Sequence, residues 1–79
     1  MLNSFFPSSA FTITPSDSEN LTETAFGIYV TVAGNVVYED LAGTQWTDAV
    51  AAGGIITMSV RKVLATGTTA TGIRGYRIN

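Results

Sequence analysis

Apolar and polar positions alternate through the stretch "AFGIYVTV". Phe26, Ile28, Val30 and Val32 fall on one side, with Gly27, Tyr29 and Thr31 on the other. A period of two predicts a half-buried strand with that first set facing a core. "AGN", Ala33 to Asn35, follows, and then a second β run, "VVYED". A short loop with a glycine between two such runs predicts a hairpin. "IITMSVRKVLAT", Ile55 to Thr66, is the longest strand candidate, with Ile56, Met58 and Val60 on one face. Its alternation slips at Arg61 and Lys62, which are both polar, and Val63 is apolar where Leu64 was due. Such a slip predicts a bulge, which bends a strand.

"FTIT", Phe11 to Thr14, reads as a short first strand, "TQWT" as a short one carrying Trp46, and "GIRGYRI", Gly72 to Ile78, as the last. "TPSD" offers Thr14 as a cap and Pro15 at a first helical position, but no apolar run follows. It predicts a turn or a 3₁₀ piece. "AVAAGG", Ala49 to Gly54, predicts a loop with one helical turn. Turn signals come roughly every ten residues and helical periodicity is nearly absent, which is the all-β pattern. The expected fold is a small antiparallel β-barrel or sandwich of about six strands. Residues 11–79 form its single domain and residues 1–10 an N-terminal arm. In that arm Phe5 and Phe6 are adjacent and cannot share one face of a strand, and Pro7 stops a helix from running through them. Two such rings make sense on an arm lying across a neighbouring subunit.

Composition sharpens this. A chain of 79 residues holds one domain, and domains this small usually need a disulfide, a metal or a partner. There is no Cys and no His, so a disulfide is excluded and a metal would need an all-oxygen site. Charged residues make up 13%, against about 25% in ordinary globular domains. Hydrophobic residues make up 46%, and the mean hydropathy is +0.28. The apolar excess predicts a surface covered by another protein chain. Four basic residues and a net charge of -2 are too little for a phosphate-tracking groove, so no nucleic acid is expected. "MLNSFFPSSAF" lacks the basic start of a signal peptide, and no apolar run is long enough to span a membrane. Without a secretion signal, the acceptor pattern Asn20-Leu21-Thr22 is read as chance.

Candidate chemistry is sparse. "GTTATGIR", Gly67 to Arg74, has the glycine spacing of a phosphate loop. That loop needs Lys then Ser or Thr after its second glycine, and must open a helix. Ile73 and Arg74 stand there instead, and "GIRGYRIN" suits a strand. The run reads as a Gly/Thr turn joining two antiparallel strands, with Gly67 supplying the turn and the threonines bonding local backbone. Without His or Cys the common general bases and activated nucleophiles are missing, so no enzyme is expected, with no catalytic residue, cofactor or metal. Asp17, Glu19, Glu23, Glu39 and Asp40 lack the spacing of a calcium loop and read as solvated loop charges. Phe5, Phe6, Phe11, Tyr29, Trp46 and Tyr76 are the candidate interface residues, because aromatics are enriched where chains meet.

Three pieces in order, "FTITPSDSENL", "GIYVTVAGNVV" and "VRKVLATGTTATGI", resemble a small family of virion proteins of tailed phages and gene transfer agents, the head-spike base proteins. The resemblance runs from about Phe11 to Tyr76, and the "ITPSD" and "VLATGTTAT" runs are its most specific parts. It implies a non-enzymatic β protein on the capsid exterior, assembled in the host cytoplasm. It implies a homo-oligomer, with the major capsid protein as partner and a spike fibre as a further one; the apolar excess beside so small a core leads to the expectation of a trimer or pentamer. A decoration or cement subunit has the same expected properties. The chain departs from the family at Ala51 to Gly54, at Ile56-Thr57, in the N-terminal "MLNSFFPSS", and in its run from Ile73 to Asn79. Two other readings fit the residues: a β-barrel module binding a small ligand or carbohydrate, and a tail or neck component of the virion.

Overall fold

The computed structural model describes residues 9–77. Phe5 and Phe6 and the rest of the arm's first eight residues lie outside the described residues. Six strands are present: β1 (Ser9–Thr12), β2 (Ala25–Val32), β3 (Gly34–Asp40), β4 (Gln45–Val50), β5 (Ile55–Val63) and β6 (Thr71–Arg77). They form one sheet in the order β1-β6-β2-β5-β3-β4, and every paired neighbour is antiparallel. The all-β antiparallel reading holds.

The connections differ from the expected ones. β2 and β3 are not a hairpin, because β5 lies between them and pairs with both. The run "VTVAGNVV" is thus a corner: the chain passes from one side of β5 to the other with only Ala33 unpaired between strands. Gly34 makes this possible. A Cβ there would sit 2.4 Å from the backbone nitrogen of Ala70. Nor does the Gly/Thr turn join antiparallel neighbours. β5 and β6 both flank β2, so the turn carries the chain across β2. Among the described residues only β3 and β4 are a hairpin of consecutive strands. Local alternation encodes strands, whereas the partner of each strand is set by burial far along the chain.

β5 is the pivot. Val60 pairs with Ala25 on one side and Asp40 on the other. Opposite β3 the register steps from Glu39↔Lys62 to Asp40↔Val60, which leaves Arg61 as an extra residue. This is the bulge that the pattern slip predicted, and it lets Val60 and Val63 both face the core. A second irregularity was not foreseen. Between Ala25↔Val60 and Ile28↔Ile56, β2 advances by three residues and β5 by four.

The core gathers Ile28 and Val30 of β2, Val36 and Tyr38 of β3, Ile56, Val60 and Val63 of β5, and Ile73 of β6. Ile13 and Ala70 close it from the connecting segments. Val37 points the other way and is buried too, under the β5–β6 connection, where Leu64 N–H donates to the Val37 carbonyl and Val37 N–H to Thr68 Oγ1. Two members of the expected core face are outside it: Phe26 is 45% exposed and Val32 is 53% exposed. The second register slip gives Ala25 the place that Phe26 would have filled. Val32 lies past the start of β5, which begins opposite Tyr29, so nothing from β5 covers it.

Two boundaries also move. β1, expected over Phe11 to Thr14, spans Ser9–Thr12, so Ser9 and Ala10, expected in the arm, pair with Arg77 and Tyr76. Ala49 and Val50, expected in a loop, continue β4 and pair with Asn35 and Gly34. No helical turn forms in either expected place. At "TPSD" the cap is Ser16, whose Oγ accepts from the N–H groups of Ser18 and Glu19.

Candidate interaction surface

Phe26, Ile55, Met58 and Tyr76 line a groove of about 400 Å³ on the outer face of β2, β5 and β6. Gly27, Thr57 and Ser59 complete it, and none of these residues is charged. The same register slip builds the groove. Met58 was expected on one face with Ile56 and Val60; the extra residue on β5 leaves it 37% exposed beside Phe26 while the other two are buried. Ile55 is 56% exposed at the strand's start. Tyr76 lies over Gly27, where an added Cβ would be 3.6 Å from its ring. Apolar side chains standing together on an uncharged face are the signature of a surface that meets another molecule.

The aromatic residues singled out from the sequence scatter. Phe11, on β1, is half-buried against the core and carries the Arg77 guanidinium 5.1 Å from its ring centre. Tyr29 is half-buried beneath Arg74, at 4.3 Å. Trp46 is exposed on the edge strand β4, and its indole N–H donates to Asp40 Oδ2 at 3.0 Å. Of the four that lie among the described residues, Tyr76 alone lines the groove. Phe26, Ile55 and Met58 were missed as surface residues because strict alternation assigned Phe26 to the core and Met58 to the face of Ile56 and Val60. The feature that turns them outward is a pairing between strands, which no single stretch displays.

The carboxylates are structural ties, and Glu39 and Asp40, expected as solvated loop charges, are half-buried at the end of β3. Asp17 Oδ1 accepts from the N–H groups of Ala65 and Thr66, and its Oδ2 accepts from the Thr66 hydroxyl at 2.6 Å. The Thr66 hydroxyl, with the backbone N–H groups beside it, holds the Asp17 carboxyl below its ordinary range. Asp40 takes the Trp46 indole and the N–H groups of Ala42 and Thr44, and these bonds lower its carboxyl likewise. Glu39 meets Arg61 at 3.0 Å and Glu23 meets Arg77 at 2.8 Å. Among the described residues no three acidic side chains gather as a metal site would require.

A second cleft, of about 540 Å³, lies between β4 and the start of β5. On its wall the Tyr38 hydroxyl donates to Asp48 Oδ2 at 2.7 Å. Burial, and then this bond to a carboxylate, push the Tyr38 phenol up to about 12. The bond commits the phenol's one proton to the carboxylate.

The chain is similar to a chain in the capsid of a native gene-transfer-agent (GTA) particle, a structure computed with C5 symmetry. Identity is 38%, the TM-score is 0.83, and the match covers 90% of this chain and 83% of that one. The chain belongs to the same family, that of phage-like and gene-transfer-agent virion proteins. Its role is structural, within a capsid assembly, and its place is the virion. No family model matches the chain, and no curated protein does.

Proposed function

We propose that the chain is a non-enzymatic subunit on the exterior of a phage-like head, acting as a decoration, cement or head-spike base protein. The observation that carries this reading is the likeness in sequence and fold to a GTA capsid chain over 90% of the length. The mechanism is adhesion. Apolar side chains left outside the core are buried against neighbouring subunits, at roughly 1.5–3 kcal/mol for each large side chain fully covered, and so oppose separation of the capsomers. The exposed Phe26, Ile55, Met58 and Trp46 supply such surface. The subunit acts as a homo-oligomer, a trimer or pentamer, on the major capsid protein, and as a spike base it would also carry a fibre.

The test is co-sedimentation. Tagged chain added to particles lacking it should move with filled heads in a density gradient and stay with tailless heads. Recovery only with detached tails, or only as free protein, contradicts the reading.

A further inference from the structure

We propose that the groove lined by Phe26, Ile55, Met58 and Tyr76 receives the Phe5-Phe6 segment of a neighbouring copy of the chain. This rests on the homo-oligomer reading above and names the contact that would build it.

Three observations point to this occupant. The first is chemical fit. The seven residues lining the groove include no charged side chain. Residues 1–8, "MLNSFFPS", also include none, and they offer Leu2, Phe5, Phe6 and Pro7 as apolar groups. The second is where the segment starts. β1 begins at Ser9, opposite Arg77, with Ala10 opposite Tyr76, so the described chain starts beside a wall of the groove. Phe26 stands at that same end, because Ile28 lies opposite Gly75 on the far side of β6. The third is direction. β1 is antiparallel to β6, so the chain before Ser9, continued on its own line, leaves the sheet past the end of β6. To fold back over its own groove it would have to reverse within Pro7 and Ser8, the two residues between Phe6 and Ser9. A neighbour's groove needs no reversal, and the four residues from Ser9 back to Phe5 reach roughly 13 Å when extended. Adjacent side chains on an extended segment point to opposite sides, so one ring of the pair enters the groove.

The absence of cysteine makes the test clean. Chains carrying Phe5→Cys or Phe6→Cys are co-expressed with a larger tagged chain carrying Met58→Cys, and then oxidised gently. Each chain has one thiol, so no bond can close within a chain. A disulfide also requires Cα atoms within about 7 Å. The expected result is a mixed disulfide of the two chain sizes, from one of the two arm positions and lost on reduction. Pairing with Leu41→Cys, exposed at the β3–β4 turn, should give none. Circular dichroism of each variant confirms the fold. A sedimenting oligomer without the mixed disulfide overturns the arm contact and leaves the homo-oligomer standing. A doubly substituted chain that closes only within itself also overturns it. A chain that sediments as a monomer overturns the homo-oligomer, and the arm contact with it.

Discussion

Asp17 and Thr66 stand 49 positions apart in sequence and 2.6 Å apart in the fold. They belong to "ITPSD" and "VLATGTTAT", the two runs that most resemble the virion family. The runs are therefore two halves of one contact: an exposed carboxylate that fixes the bend after β5 by three hydrogen bonds. Breaking it should loosen that connection, which also covers Val37. Asp17→Asn keeps the shape but weakens charge-assisted bonds, and hydrogen exchange at Ala65 and Thr66 should become faster. Unchanged exchange would mean that the tie does not hold the bend.

Acid stability follows from the same bonds. The carboxyls of Asp17 and Asp40 are held below their ordinary value of 3.8. The native state thus binds fewer protons than the unfolded one as pH falls toward that value, and stability must fall with it. The contribution is fully present above the ordinary carboxylate range and is lost as pH drops through the lowered folded values. Thermal melts across this range should show a shallower acid loss for Asp17→Asn than for the native chain. Equal slopes would contradict the assignment.

Val30 and Thr31 test the strand register. Val30 is fully buried and Thr31 is exposed. Val30→Asp places an unpaired carboxylate in the core, at a cost of several kcal/mol, and should prevent folding. Thr31→Asp loses a hydrogen bond to the Gly72 carbonyl and should cost only about 1 kcal/mol. Urea titration separates the two, and equal stability would show the register to be wrong.

Gly34 tests the corner between β2 and β3. The Cβ of Gly34→Ala would meet backbone atoms of Ala70 at 2.4 and 2.7 Å, and backbone cannot swing aside as a side chain can. The expected loss is about 1–3 kcal/mol, or roughly 4–8 °C of melting temperature per kcal/mol for a domain this size. A neutral substitution would mean that the β5–β6 connection does not press on the corner.

The alternation in "AFGIYVTV" and the slip at Arg61-Lys62 were enough to reveal strands, a bulge and an all-β class, because side-chain period and local polarity are written in neighbouring residues. The pairing order was not legible. β5 lies between β2 and β3 because Ile56 and Val60 must meet Ile28, Val36 and Tyr38 in one core, a condition spread over the whole chain. The groove was hidden for the same reason: Phe26 and Met58 turn outward only where the unequal steps of β2 and β5 meet. Of the aromatics singled out in the sequence, Tyr76 lines the groove, while Phe11 and Tyr29 lie under arginines.

Tyr38 gives an alkaline counterpart to the acid prediction. Its folded value of about 12 lies above the ordinary 10.0, so its contribution to stability is full below pH 10 and is lost as pH rises toward 12. An ultraviolet titration of phenolate should show one tyrosine ionising late, and Tyr38→Phe should remove that late phase. A late phase that persists in Tyr38→Phe would assign it to another tyrosine.

The most direct measurement of the virion role is a difference map between electron-microscopy reconstructions of particles made with and without this chain. The account predicts density for a six-stranded β domain on the outside of the head, in three or five copies around a symmetry axis and touching the major capsid protein. Difference density confined to the tail or neck, or no difference at all, would contradict it.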